Sequence, residues 1–223
     1  MKKILFVLVS LLLVLNCYSQ TIFKCDSVEN DFNTWEELAK KYKKKGNKKW
    51  AEEIAKVFPL SEDGTIKWQY VIEIDSIINI QDYEDYVREW VKLEYTNVVP
   101  ICDKINHSLH FEATMQNIGK SQGLFQYTLI WAKQSVKIDF KDTKIRITIN
   151  TNHYNLSSAG LGGIDTPTTT INNAFPYNKK SSYKDAYAMA YININSNELS
   201  KCKSLFLFLN KHIKTINEDQ DNW

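Results

Sequence analysis

The stretch Val136-Lys137-Ile138-Asp139-Phe140-Lys141-Asp142-Thr143-Lys144-Ile145-Arg146-Ile147-Thr148-Ile149 decides the fold. Val136, Ile138 and Phe140 alternate with polar neighbours, as do Ile145, Ile147 and Ile149 around Arg146 and Thr148. Side chains of a strand point to its two faces in turn, so each run reads as a strand with one apolar face. The connection Lys141-Asp142-Thr143 is too short for a crossover, which makes the two strands antiparallel neighbours. One-sided alternation in such a pair implies a sheet with one covered face and one wet face.

The same reading extends upstream. Trp68, Tyr70, Ile72 and Ile74 alternate with Gln69, Glu73 and Asp75 after the turn residues Asp63-Gly64, which predicts a strand. Tyr83, Tyr86, Val87, Trp90 and Val91 then recur at helical spacing, with acids and Arg88 opposite. Val98 to Cys102 and Leu109 to Ala113 are short strand candidates, and Phe125, Tyr127, Leu129 and Trp131 alternate ahead of the deciding stretch. Most aromatic residues fall on the apolar phase of their elements, so core packing is expected for them in preference to sugar or peptide stacking.

Before this domain, Thr34-Trp35-Glu36-Glu37 has the form of a capping box opening a helix with Trp35, Leu38, Ala39 and Tyr42 on one face. Gly46 and Asn47 end it, and Trp50, Ile54 and Val57 mark a second helix before Pro59. After the domain, residues 151–182 are rich in Asn, Thr, Ser and Gly and carry no period, which predicts an irregular loop. Tyr183, Tyr187 and Tyr191, then Leu199, Cys202, Leu205, Phe206 and Leu209, predict C-terminal helices. The expected organisation is a signal peptide (1–19), a helical extension (20–63), an α+β domain (64–154), an irregular loop (155–182), C-terminal helices (183–216) and an acidic tail (217–223).

Lys2 and Lys3 followed by the apolar runs Ile4–Val9 and Leu11–Leu15 have the form of a secretory signal, too short to span a bilayer. Cys17-Tyr18-Ser19 places small residues one and three positions before a cut between Ser19 and Gln20. The alternative is a lipid anchor on Cys17, with Asn16 standing where such signals take Gly, Ala or Ser. Export, to the periplasm or the medium, is therefore the expectation. The 28 basic residues, two of them in the signal, nearly balance the 26 acidic ones. A nominally neutral mature chain lacks the field that nucleic-acid binding draws on, so no nucleic-acid partner is expected. Cys25, Cys102 and Cys202 would remain after cleavage, too few for a disulfide framework, although one pair is free to bridge.

Val71-Ile72-Glu73-Ile74 leading into Tyr83, Tyr86 and Trp90, with Lys137-Ile138-Asp139-Phe140-Lys141-Asp142 followed by Ile145-Arg146-Ile147-Thr148, gives the order β-α-β-β-β-β closed by a helix. Over about residues 64–154 this resembles a family of secreted bacterial domains of unknown function with a TATA-binding-protein-like (TBP-like) fold. Thr143 stands where that family's hairpin would have a glycine. The resemblance implies an antiparallel α+β fold and an exported class, and it implies no activity. DNA binding by such a fold requires a duplicated saddle, basic concave strands and apolar wedges, whereas this unit appears once.

Chemistry-bearing constellations are sparse. Cys102, His107 and His110 lie close in sequence, but strand positions three apart face opposite ways, and no further ligand pattern completes a metal site. His110 and Glu112 copy half of a zinc-deaminase pattern whose Pro-Cys-x-x-Cys half is absent. Gly160-Leu161-Gly162-Gly163 lacks the strand, helix and Lys-Ser/Thr context of a phosphate loop. Lys40, Lys41, Lys43, Lys44, Lys45, Lys48 and Lys49 form the one strong charge cluster, readable as a contact for an anionic surface or as a solvated helix end. No catalytic, cofactor-binding or metal-ligating residue is expected. These features point to a non-catalytic envelope module that meets anionic lipid, polysaccharide or another envelope protein through the wet sheet face and the 151–182 loop. The alternative is a secreted hydrolase using Cys102, His107 and His110 or that loop.

Overall fold

A computed structural model of the chain describes residues 25–74, 80–122, 126–141, 143–160, 163–165 and 167–220. The expected signal segment, its cleavage site, Cys17, Phe125 and Leu161-Gly162 lie outside the described residues. The elements in chain order are α1 (Asp26–Tyr42), a 3-10 turn (Lys43–Lys45), α2 (Asn47–Val57), β1 (Ile66–Glu73), α3 (Ile80–Glu94), β2 (Ile101–Asp103) and β3 (Ser108–Gln122). They continue with β4 (Gln126–Lys141), β5 (Lys144–Gly160), β6 (Gly163–Asp165), β7 (Thr168–Thr170), a 3-10 turn (Ile171–Asn173) and α4 (Lys184–Gln220).

The strands form one antiparallel sheet in the order β1-β5-β4-β3-β2, with β7 and β6 pairing with β5 beyond the end of β1. The deciding stretch forms the central hairpin, in which Ile138 faces Ile147 and Val136 faces Ile149 across the ladder. Ile145, Ile147 and Ile149 are fully buried, between Trp68, Tyr70 and Ile72 of β1 and the inward residues of β4. Full burial of such a side chain is worth about 1.5–3 kcal/mol, so this hairpin anchors the core. The helices cover this inner face, α4 lying along it with Ile194, Cys202, Leu205 and Leu209 buried. The expected α+β architecture, an open antiparallel sheet packed with helices, is what the structure shows.

The N-terminal helical pair joins the core through a row of rings. Trp35 packs against Trp50 and Phe58, Phe58 packs on Trp68, and Trp68 stacks on Tyr70. Tyr70 Oη donates to Asp31 of α1 at 2.9 Å, and Trp68 Nε1 donates to Asn195 Oδ1 of α4 at 3.1 Å. Both indole and phenol therefore keep a polar partner where they are buried.

Several local expectations need correcting. Helix α1 begins at Asp26, eight residues before the expected cap, and Thr34 lies inside it. There the Thr34 hydroxyl donates to the Asn30 carbonyl, a bond that a mid-helix threonine makes four residues back. The short strand expected over Val98 to Cys102 begins only at Ile101, because Pro100 has no N–H to give a ladder. The expected C-terminal helices are one helix, Lys184–Gln220, which runs on through the described part of the acidic tail. The expected irregular loop is ordered strand as far as Gly160, and its later part contributes buried Ile171, Ala174 and Phe175.

A bulge explains why β5 escaped a period-two reading. Ala132 of β4 faces Tyr154 while Gln134 faces Thr151, so β5 carries one extra residue at this point. Its inward positions change from odd (Ile145, Ile147, Ile149, Thr151) to even (Tyr154, Leu156, Ser158). A second irregularity in β3 sets Met115 opposite Ala132 and Gly119 opposite Ile130, with Asn117 at φ 54°. Helix α4 passes very close there, its Ala186 and Ala190 turned to the strand. A Cβ on Gly119 would meet the Ala186 carbonyl oxygen at 2.3 Å. Gly119→Ala is therefore expected to destabilise the protein by about 1–3 kcal/mol, the usual scale of overpacking. Urea unfolding of the variant against wild type measures it.

Candidate functional site: the uncovered sheet face

Strand β4 contains two apolar sets of opposite parity. Tyr127, Leu129 and Trp131 are odd, whereas Val136, Ile138 and Phe140 are even. A strand whose own residues alternate without interruption can bury only one parity, and the extra residues at both bulges belong to its neighbours, β3 and β5. The even set wins along the whole strand, from Thr128 through Ile130 and Ala132 to Phe140. Tyr127, Leu129 and Trp131 therefore lie on the uncovered face, Tyr127 with 42% of its surface exposed. The core position expected for these aromatics is corrected accordingly. The conflict of parity within one strand was the available signal.

The β3 irregularity raises a wall beside this stripe. Thr114, Gln116 and Asn117 from β3, Leu129, Trp131 and Lys133 from β4, and Ser157 from β5 line an open cleft of about 400 Å³. That is within the size range of small-ligand sites, which combine apolar lining with a few placed polar groups. Here a half-buried indole is surrounded by two amides, two hydroxyls and one ammonium.

Along the rest of the face, charges are arranged in cross-strand pairs. Asp139 accepts from Lys137 at 2.8 Å and from Arg146 of β5 at 2.7 Å. Burial works against its ionisation, yet these hydrogen bonds outweigh it and hold the carboxyl below its usual range. Glu73 pairs with Lys144 at 3.5 Å, and Glu112 with Lys133 at 3.9 Å. Such exposed pairs are each worth about 0–1 kcal/mol, so they register the surface more than they stabilise it.

The sequence-derived candidates lie elsewhere. Lys40 and Lys41 end α1, Lys43, Lys44 and Lys45 form the 3-10 turn, and Lys48 and Lys49 open α2, all exposed. Lys40 pairs with Glu36, Lys48 with Asp185 and Lys49 with Glu53, while Lys41 and Lys45 lie over the Tyr42 ring. Cys102 sits opposite Leu109 and His110 opposite Ile101, so these neighbours on adjacent strands face opposite ways. His107 occupies the β2–β3 turn at φ 46°, its Nδ1 2.8 Å from Glu84 Oε1. Cys102 and His110 therefore do not converge, and the His107 ring is engaged by Glu84. Among the described residues Cys25, Cys102 and Cys202 are unbridged, Cys25 and Cys202 buried and Cys102 exposed. Among the described residues no group of His, Cys, Asp or Glu is placed to hold a metal ion, and no helix is long and apolar enough to cross a membrane.

One titratable group escaped the sequence reading. Glu198 of α4 is fully buried beneath the sheet, where Oε1 accepts from Thr151 Oγ1 at 2.5 Å and from Gln134 Nε2 at 3.0 Å. Its Oε2 has no partner among the described residues. Burial pushes the carboxyl up to about 8 against the pull of those two hydrogen bonds, so it is protonated at neutral pH. The signal was present: Tyr191, Asn195, Glu198, Cys202, Leu205 and Leu209 follow helical spacing, which puts a carboxylate on the buried stripe. Strongly shifted groups often mark active sites. Glu198 itself is fully buried, one hydrogen bond away from Gln134, which lines an open cleft with Asn197 and Lys201.

No family model and no curated protein matches this sequence. Among solved structures, the chain is similar to a TBP-like protein from Parabacteroides distasonis ATCC 8503, with TM-score 0.48 and 12% identity, over 66% of this chain and 96% of that one. It is also similar to a DUF4468 family protein from Bacteroides ovatus ATCC 8483, with TM-score 0.42 and 9% identity, over 66% and 88%.

The Glu198 carboxyl makes stability pH-dependent. Between its unfolded value near 4.5 and its folded value near 8 the native state holds the extra proton, so stability falls as pH rises. The contribution is complete below about 4.5 and lost by pH 9, on the order of a few kcal/mol. Glu198→Gln is expected to flatten this slope and to exceed wild type in stability above pH 8. Urea unfolding at pH 5 and pH 9 checks both the sign and the crossover.

Proposed function

We propose that the chain is an exported, non-catalytic binding module of the bacterial cell envelope, and that it meets its partner through the uncovered sheet face. The observation that carries this reading is the placement of Tyr127, Leu129 and Trp131 on that face, beside a ready-made cleft, while the helices pack on the other side. Large apolar side chains gathered on an otherwise polar surface mark a contact site. The export part rests on the Lys2-Lys3 start and the apolar run that follows. The opposed faces of Cys102 and His110, and the engagement of His107 by Glu84, weigh against a hydrolase built on all three.

The lysine-rich turn between α1 and α2 offers a second surface, suited to anionic lipid. Fractionation of cells producing tagged variants separates the two. Trp131→Ala is expected to lower the envelope-bound share about tenfold, the scale of one lost aromatic anchor. Charge reversal at Lys43, Lys44 and Lys45 is expected to leave it unchanged. The opposite pattern moves the contact to the lysine turn, and indifference to both sets ends the binding proposal.

A further inference from the structure

The open face is not electrically balanced. Strand β4 turns Lys133, Lys137 and Lys141 outward at every fourth residue, roughly 13 Å apart at strand rise. Flanking strands add Lys67, Lys120, Lys144 and Arg146 on the same side, as their register opposite outward residues requires. Four carboxylates share this face among the described residues: Glu73 pairs with Lys144, Glu112 with Lys133 and Asp139 with both Lys137 and Arg146, while Asp103, opposite Ser108, accepts from Asn106. Among the described residues three positive charges thus remain in excess on one face of a chain whose totals are 28 basic and 26 acidic residues. Lys67, Lys120 and Lys141 carry that excess, while Lys133 and Lys137, held only by surface pairs worth about 0–1 kcal/mol, continue the β4 row into the Trp131 cleft.

The cleft itself narrows the class of ligand. An indole offers a flat apolar face, and the side chains around it are Thr114 and Ser157 hydroxyls and Gln116 and Asn117 amides. Hydroxyls and primary amides both donate and accept, which matches a ligand whose own groups do both. A sugar ring has this character: an apolar C–H face for stacking and a rim of hydroxyls. Among the described residues Lys133 is the one cation lining the cleft, and the next along the strand stands one long step away, so negative charge is wanted at intervals along an extended ligand.

We infer that the uncovered face binds an acidic polysaccharide, with one sugar ring on Trp131 and its anionic groups paired with the β4 lysines. This rests on the open-face reading above and adds the ligand class. The row Lys133, Lys137, Lys141 sets the direction in which the polymer runs, along β4 toward the β4–β5 hairpin. Attraction to the row acts through solvent and is screened by salt, whereas stacking on the indole is not.

Native electrophoresis through gels containing polygalacturonate, chondroitin sulfate or neutral dextran tests it on the exported chain. Polygalacturonate or chondroitin sulfate is expected to retard wild type, less so with added salt, and dextran is expected not to. Trp131→Ala is expected to weaken retardation about tenfold, whereas Trp131→Phe keeps most of it. Lys133→Gln with Lys137→Gln is expected to weaken binding and flatten its salt dependence. Far-UV circular dichroism and thermal midpoints establish that each variant is folded, and a variant that is not gives way to Leu129→Ser as the cleft probe. Retardation by neither acidic polymer overturns the inference, as does equal retardation of the folded cleft variant. Tighter binding of a single-stranded oligonucleotide overturns it in favour of nucleic acid. If both polymers fail while envelope association still depends on Trp131, the saccharide assignment falls and the open face stands. If association is also indifferent to Trp131, both fall.

Discussion

The long helix α4 lies along one face of the sheet, and the uncovered opposite face exists because the helix lies on that face alone. The helix approaches closely because small residues meet at the contact, Gly119 in β3 against Ala186 and Ala190 in α4. Close approach lets Ile194, Leu205 and Leu209 of α4 share an interior with Ile145, Ile147 and Ile149 of β5. The other helices pack on the same side, with Trp90 of α3 tied by Nε1 to Ser204 Oγ at 3.2 Å. With the inner face closed by α4, the outer face is left to solvent.

This packing has a cost that the structure carries in its interior. The stripe of α4 that enters the core includes Asn195 and Glu198, and both must be satisfied without water. Asn195 manages it, accepting from Trp68 Nε1 and donating to the Tyr191 carbonyl. Glu198 manages it in part, through Thr151 and Gln134, by remaining protonated at neutral pH. Thr151 stands at the β5 bulge, where the inward parity changes, so the irregularity supplies the hydroxyl that the buried carboxyl needs. The two bulges thus serve both faces: one places a polar group under the sheet, and the other raises the wall of the Trp131 cleft above it.

Much of the architecture was legible in the residues. The hairpin from Val136 to Ile149, the strand carrying Trp68, Tyr70 and Ile72, the helix carrying Trp90 and the second N-terminal helix each have one uninterrupted period, and each is where that period places it. Elements with an interrupted period were not legible. Strand β5 changes parity at its bulge, so its second half looked like loop. The start of α1 was read eight residues late because Thr34 and Glu37 imitate a cap that the chain does not use. The candidate site was legible only as a conflict, two apolar parities on one strand, which local pattern has no means of resolving.

By itself, the sequence determined the class of fold, the antiparallel pairing at the centre and which residues of the continuous elements face inward. These depend on period and on the shortness of connections, both of which are local. Only the tertiary structure decided which parity of β4 is buried, where Glu198 is enclosed, and that Cys102 and His110 face apart. Those outcomes depend on which face α4 covers and on how neighbouring strands register across their bulges. Register and coverage are set by distant parts of the chain acting together, and a side chain's own neighbours in sequence do not encode them.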